Sequence, residues 1–88
     1  MYLYLGQNEL VPERRIIGIF DLDKCSVGRR TRAYLAAAER DGVVLDVSGE
    51  LPRSFVVCDH PYHRQIVYLS QLTSATLKNR AESGGVDL

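Results

Sequence analysis

The chain has no tryptophan, one methionine, two phenylalanines and two cysteines in 88 residues, and its charges cancel, eleven basic against eleven acidic. Each shortage excludes something. Cys25 and Cys58 are too few and too plainly spaced for a disulfide framework, so both are expected as reduced structural thiols. Zero net charge excludes a protein that coats nucleic acid by bulk positive charge. No apolar run approaches the roughly 20 residues of a membrane span. The opening "MYLYLGQNEL" has neither the basic region nor the apolar stretch of a secretory signal. A cytoplasmic protein with no membrane partner is therefore expected. At this length the expected organisation is one domain over residues 1–82 with a flexible tail at 83–88. So small a domain hides roughly 60–65% of its unfolded surface, and self-association is a common way to gain more burial.

What is present reads as alternating short elements. "YLYL" alternates aromatic and aliphatic residues as a strand does, and "GQN" closes it as a turn. "ELVPERRIIGIFDL" resumes extended structure, but Pro12 has no N–H to give a ladder, which puts the run at an edge or breaks it before "RIIGIF". "SVGRRTRAYLAAAERDG" predicts a helix with Ser26 as N-cap and Gly42 as stop. "VVLDV" is a short strand and "SGELPR" a loop. "SFVVC" and "RQIVYL" form a hairpin across the longer turn "DHPYH". "LTSATLKNRAE" closes the chain as a helix capped by Thr73 or Ser74 and stopped at Gly84–Gly85. The order predicts an α+β domain: a small, mostly antiparallel sheet with two helices packed on it.

Few residues offer catalytic or metal chemistry. Cys58, Asp59, His60 and His63 are all zinc-ligand types at short spacing, yet a structural site needs four ligands and no second pair completes one. The same residues make an ordinary hairpin turn, and no metal or other cofactor is expected. Asp21 and Asp23 share a side in extended chain and could do acid–base work or hold magnesium. Placed before a helix, they more simply satisfy loop and helix-terminal N–H groups. Ser26 and Ser70 have no histidine and acid at recognisable spacing. Gly28 alone makes no phosphate loop. The expectation is a protein that is not an enzyme and has no small-molecule substrate.

The arginines are the unusual feature. They outnumber lysines nine to two, and arginine suits planar phosphate or carboxylate recognition. At 100° per residue, Val27, Thr31, Tyr34, Leu35 and Ala38 share a face that should meet the sheet. Arg29, Arg32 and Arg40 lie opposite, with Ala33 and Ala36 between them, and Arg30 lies to one side. Cations in a first helical turn oppose the helix dipole by a few tenths of a kcal/mol each. Three readings fit: a solvated face, a phosphate-binding surface, or a contact with an acidic neighbouring subunit.

The stretches "MYLYLG", "VPERRIIGIFDLD", "TRAYLAAAERDG", "SFVV" and "IVYLSQLTSATLKNRA" resemble, in order and spacing, the Rem family of bacterial extracellular-matrix regulators. The likeness spans Met1 to about Ala81 and is nearer the B-type than the A-type member. The resemblance implies a small α+β domain that assembles into rings and, in the A-type member, binds regulatory DNA to activate matrix genes. It implies double-stranded DNA and further copies of the chain as partners. Arg15 matches a basic position of the A-type member that contributes to DNA binding. Gly49 and Arg53 match the ends of a loop that holds adjacent arginines there, whereas Glu50, Leu51 and Pro52 fill its middle here. The expected DNA-contacting residues are Arg15, Arg29, Arg30, Arg32 and Arg53, touching the backbone rather than reading bases.

Overall fold

The structure, a computed structural model, describes residues 1–22, 28–49 and 51–82. Strand β1 (Tyr2–Gly6) pairs antiparallel with β2 (Glu9–Pro12). Gln7 and Asn8 join them with φ of 48° and 64°. Both are left-handed, as a two-residue hairpin turn requires. Leu3 and Leu5 are fully buried while Tyr2 and Tyr4 are only half-buried, which is the alternation expected of a one-sided strand.

At Pro12 the extended run does more than break: the chain changes sheets. A 3-10 turn (Glu13–Arg15) redirects it into β3 (Ile16–Asp21). Strands β4 (Val44–Asp46), β5 (Ser54–Cys58) and β6 (Ile66–Ser70) complete a four-stranded sheet of order β3-β5-β6-β4. Strand β5 is buried along its whole length, as a central strand covered on both faces should be. The β5–β6 hairpin forms as expected. The single mostly antiparallel sheet becomes two sheets, and β4 pairs parallel with β6. That pairing was not legible because β4 skips its sequence neighbour β5 and joins the far side of the hairpin. The class remains α+β.

Helix α1 (Arg29–Arg40) begins later than the sequence suggests, with Gly28 at the N-cap position in extended conformation. Ser26 lies outside the described residues, as do Asp23, Cys25, Val27, Glu50 and the tail. The end of α1 is as expected. Gly42 adopts φ +72°, its N–H reaches the Glu39 carbonyl, and Val43 N–H reaches Ala38. These are the two bonds of a Schellman stop, which needs a left-handed residue. Helix α2 (Ser74–Glu82) is capped by Thr73, whose hydroxyl accepts the Thr76 N–H at 3.1 Å.

The four-stranded sheet separates two cores. On one face Ala38 and Leu35 of α1 meet Phe55, Val57, Val67 and Leu69. On the other, Leu3, Leu5 and Val11 of the hairpin and Leu77 of α2 meet Val56 and Cys58. Buried serines tie the layers together: Ser70 Oγ donates to the Leu5 carbonyl at 2.6 Å and accepts the Leu72 N–H, and Ser54 Oγ donates to the Leu72 carbonyl. Ser70 is thus committed to backbone. No helix among the described residues is long and apolar enough to cross a membrane.

Candidate nucleic-acid interface

The first turn of α1 contains arginines and no acid. Arg29, Arg30 and Arg32 are exposed, as are Ala33 and Ala36 beside them. Gly28 has no side chain with which to cap, so the leading N–H groups and three guanidinium groups present positive charge at one end of one helix. Such an end suits an anion.

The other two arginines are placed apart. Arg15 ends the 3-10 turn and its carbonyl accepts the Asp59 N–H at 2.7 Å, beside the β5–β6 turn. Arg53 sits at the opposite end of β5, where its N–H donates to Ser70 and its carbonyl accepts from Leu22. The register pairs Ile16 with Cys58 and Asp21 with Ser54, so about 16 Å of strand separates these ends. Arg53 is exposed and Leu51 beside it is 81% exposed. Arg15 and Arg53 therefore lie at opposite ends of the sheet, not in one patch.

A feature that the residue pattern did not single out lies beside Arg30. Ile17, Phe20, Thr31, Tyr34, Phe55 and Val57 line an open, mainly apolar groove of about 480 Å³ between α1 and the end of the sheet formed by edge strand β3 and its neighbour β5. Ile17 is 56% exposed, and Phe20 and Tyr34 are also exposed. Strict alternation would put Ile17 on the face of Ile19. A register shift between Ile16 and Gly18 turns it to the other side instead. Gly18 was the available signal, since glycine inside a strand marks bulges and close approaches. A Cβ at Gly18 would lie 2.6 Å from the Phe20 ring, which stacks on Phe55 at 5.0 Å. Tyr34 Oη donates to Gln65 Oε1 at 2.6 Å, and burial raises its phenol pKa.

The considered metal residues do not converge on one point. Cys58 packs into the core against Leu3 and Val56, and burial followed by the Asp59 charge pushes its thiol up to about 11. His60 Nδ1 accepts the Tyr62 N–H at 3.1 Å. Among the described residues, no group of three or more histidine, cysteine or acidic side chains is assembled to hold a metal ion. Asp21 Oδ2 accepts a long bond from Ser74 Oγ, at 3.4 Å, so this carboxylate touches the start of α2.

No family model matches the chain. It is 38% identical over 82 residues to Extracellular matrix regulatory protein B of Bacillus subtilis (strain 168), covering 93% of this chain and 91% of that protein. The chain belongs to the Rem family of extracellular-matrix regulators. Its likeness is to the B-type member. The match covers nearly the whole of both chains.

Proposed function

We propose that this Rem-family chain is a non-enzymatic cytoplasmic regulator of transcription that binds double-stranded DNA through arginines presented by many copies arranged in a ring. The observation that carries the reading is the first turn of α1: three exposed arginines, no acid, at the positive end of a helix. Cations there cost the isolated fold a few tenths of a kcal/mol each, and phosphate offsets that cost. Arg15 and Arg53 add points at either end of the sheet. Each subunit then supplies few contacts, and useful affinity comes from several subunits engaging one DNA segment. The regulatory name of the relative supports the same class of function.

Self-association is supported by the two sheet edges. The β3 edge carries the apolar groove with Arg30 on its rim. The β4 edge carries exposed Leu45 and Asp46. Ser48 donates its hydroxyl and N–H to the Asp46 carboxylate, which lowers its pKa. Apolar surface and opposite charge on opposite edges suit head-to-tail contact, the arrangement that closes into rings. A second reading, a partner protein that never touches DNA, is favoured by Leu51 standing exposed in the loop where the family resemblance implies adjacent arginines in the A-type member. Molecular mass in solution, with and without a promoter fragment of the matrix genes, separates the two. A ring that gains the mass of the duplex supports the proposal, and a ring that ignores it supports the partner protein.

A further inference from the structure

The bonds at the two ends of the four-stranded sheet fix which backbone groups its edges present. Leu22 N–H donates to the Arg53 carbonyl just beyond the pair Asp21 and Ser54. Bonding sides alternate along a strand, so Phe20 and Gly18 turn their backbone groups toward β5, and Ile19 turns its N–H and C=O away from it. At the other end Val67 N–H donates to the Val43 carbonyl, and Val47 N–H donates to the Leu69 carbonyl. Residues 43, 45 and 47 therefore bond β6, while Val44 and Asp46 turn their backbone groups outward. Among the described residues no strand pairs with the outer side of β3 or of β4. Two antiparallel pairings and one parallel pairing lie between them, so β3 and β4 run in the same direction. The bulge near Ile17 leaves Gly18–Asp21 as the regular part of β3, long enough for a strand of three residues such as β4.

We infer that β4 of one copy adds in parallel to the outer edge of β3 of the next, so that one sheet runs on from subunit to subunit. The inference rests on the self-association proposed above and specifies its contact. Rotation about an axis along the strands preserves their direction, so two edges of equal direction are what a head-to-tail ring joins. A two-fold dimer would instead join like edges, β3 to β3. With Leu45 of the added copy opposite Ile19, the Ile19 N–H donates to the Val44 carbonyl and the Asp46 N–H donates to the Ile19 carbonyl. The side chains then fall in kind. Ile19 packs on the core beneath β1 and β2, and Leu45 pairs with Tyr68, which packs on that same core. Leu45 is 45% exposed in the single chain and is covered by the pairing. Val44 and Asp46 project on the α1 face, beside Gly18 and Phe20, where Arg30 borders the groove. Both bonds from Ser48 end on Asp46 Oδ1, which leaves Oδ2 to meet the Arg30 guanidinium.

Cross-linking and light scattering of the full chain test the pairing. Neighbouring strands lie about 4.8 Å apart, within the span a disulfide bridges. In a Cys25→Ser background, Ile19→Cys with Leu45→Cys should give, on mild oxidation, a ladder of covalent species beyond dimer on a denaturing gel, lost on reduction. Ile19→Cys with Val44→Cys sets the thiols on opposite faces and should give no ladder. Arg30→Glu and Asp46→Arg should each reduce the assembly to monomer, and the two together should regain the mass. Where the cysteine variants fail to assemble, this charge exchange decides. Assembly of native mass without a ladder overturns the inference and leaves self-association standing. A product that stops at dimer, or that forms with Ile19→Cys alone, overturns it in favour of like edges. A ladder of equal yield from the opposite-face pair, or a charge-exchanged variant that stays monomeric, overturns it too. Wild-type protein that is monomeric at micromolar concentration overturns both readings.

Discussion

Substituting Ile17 by lysine separates the stability of one subunit from that of the assembly. Ile17 is 56% exposed in the single chain, so less than half of its side chain is withdrawn from water. Full burial of such a side chain is worth about 1.5–3 kcal/mol, which puts the loss to the subunit near 1 kcal/mol. The bulge at this point relaxes the packing demand further. In a head-to-tail contact the exposed part is covered as well, and a lysine there competes with Arg30 for Asp46 of the facing edge, so that one cation is left unpaired. Lost burial of about 1 kcal/mol and an unpaired buried cation of several kcal/mol weaken each contact by at least a hundredfold. Every subunit of a closed ring uses the same contact, so one change strikes all of them. Light scattering at micromolar concentration should show monomer, while far-ultraviolet circular dichroism retains the native spectrum. The burial lost within the subunit itself should account for a fall of about 4–8 °C in melting midpoint. An unchanged mass would refute the placement of the contact in the β3 groove.

Four further outcomes follow from the same geometry. Leu77 is fully buried between α2 and the hairpin, so Leu77→Ala should cost about 2–5 kcal/mol in urea unfolding, with the slope unchanged. The Cys58 thiol, pushed up to about 11 by burial, should resist iodoacetamide at pH 8 until denaturant is added. Because the folded state holds that proton more tightly than the unfolded chain, stability should fall as pH rises from about 9 to about 11, and should fall less in Cys58→Ala. Asp46 has the opposite sign: its lowered pKa stabilises the fold above the ordinary carboxylate range, and that contribution is lost as pH falls through it. Ser48→Ala should abolish this acid sensitivity, read as the difference between melting midpoints at pH 6 and pH 3.

Local chemistry was legible in the sequence, and long-range geometry was not. The Gln7–Asn8 turn, the Gly42 stop, the Thr73 cap and the β5–β6 hairpin each depend on a few neighbouring residues whose preferences are strong. The parallel β4–β6 pair depends on which edge of a distant hairpin a three-residue strand meets, and no local signal specifies that. The change of sheet at Pro12 was half visible, as a break without a destination. The arginine turn of α1 stood out because its charge opposes the helix dipole. The β3 groove did not, because the bulge at Ile17 inverts the alternation from which faces are read. Arg15 and Arg53 look alike in sequence, yet the register sets them at opposite ends of the sheet.

The central claim is that the arginines of α1 meet phosphate, and the salt dependence of duplex binding by Arg29→Ala, Arg32→Ala tests it most directly. Each phosphate contact contributes about 0.9 to the logarithmic salt slope on duplex DNA, so each engaged subunit should lose up to about 1.8. The loss should be equal on specific and random sequences, since backbone contacts carry no sequence information. Mass should be unchanged, and the fold slightly more stable for the removal of charge from the positive helix end. A slope identical to wild type, with assembly intact, would contradict the account, and dissolution of the assembly would assign these arginines to contacts between subunits instead.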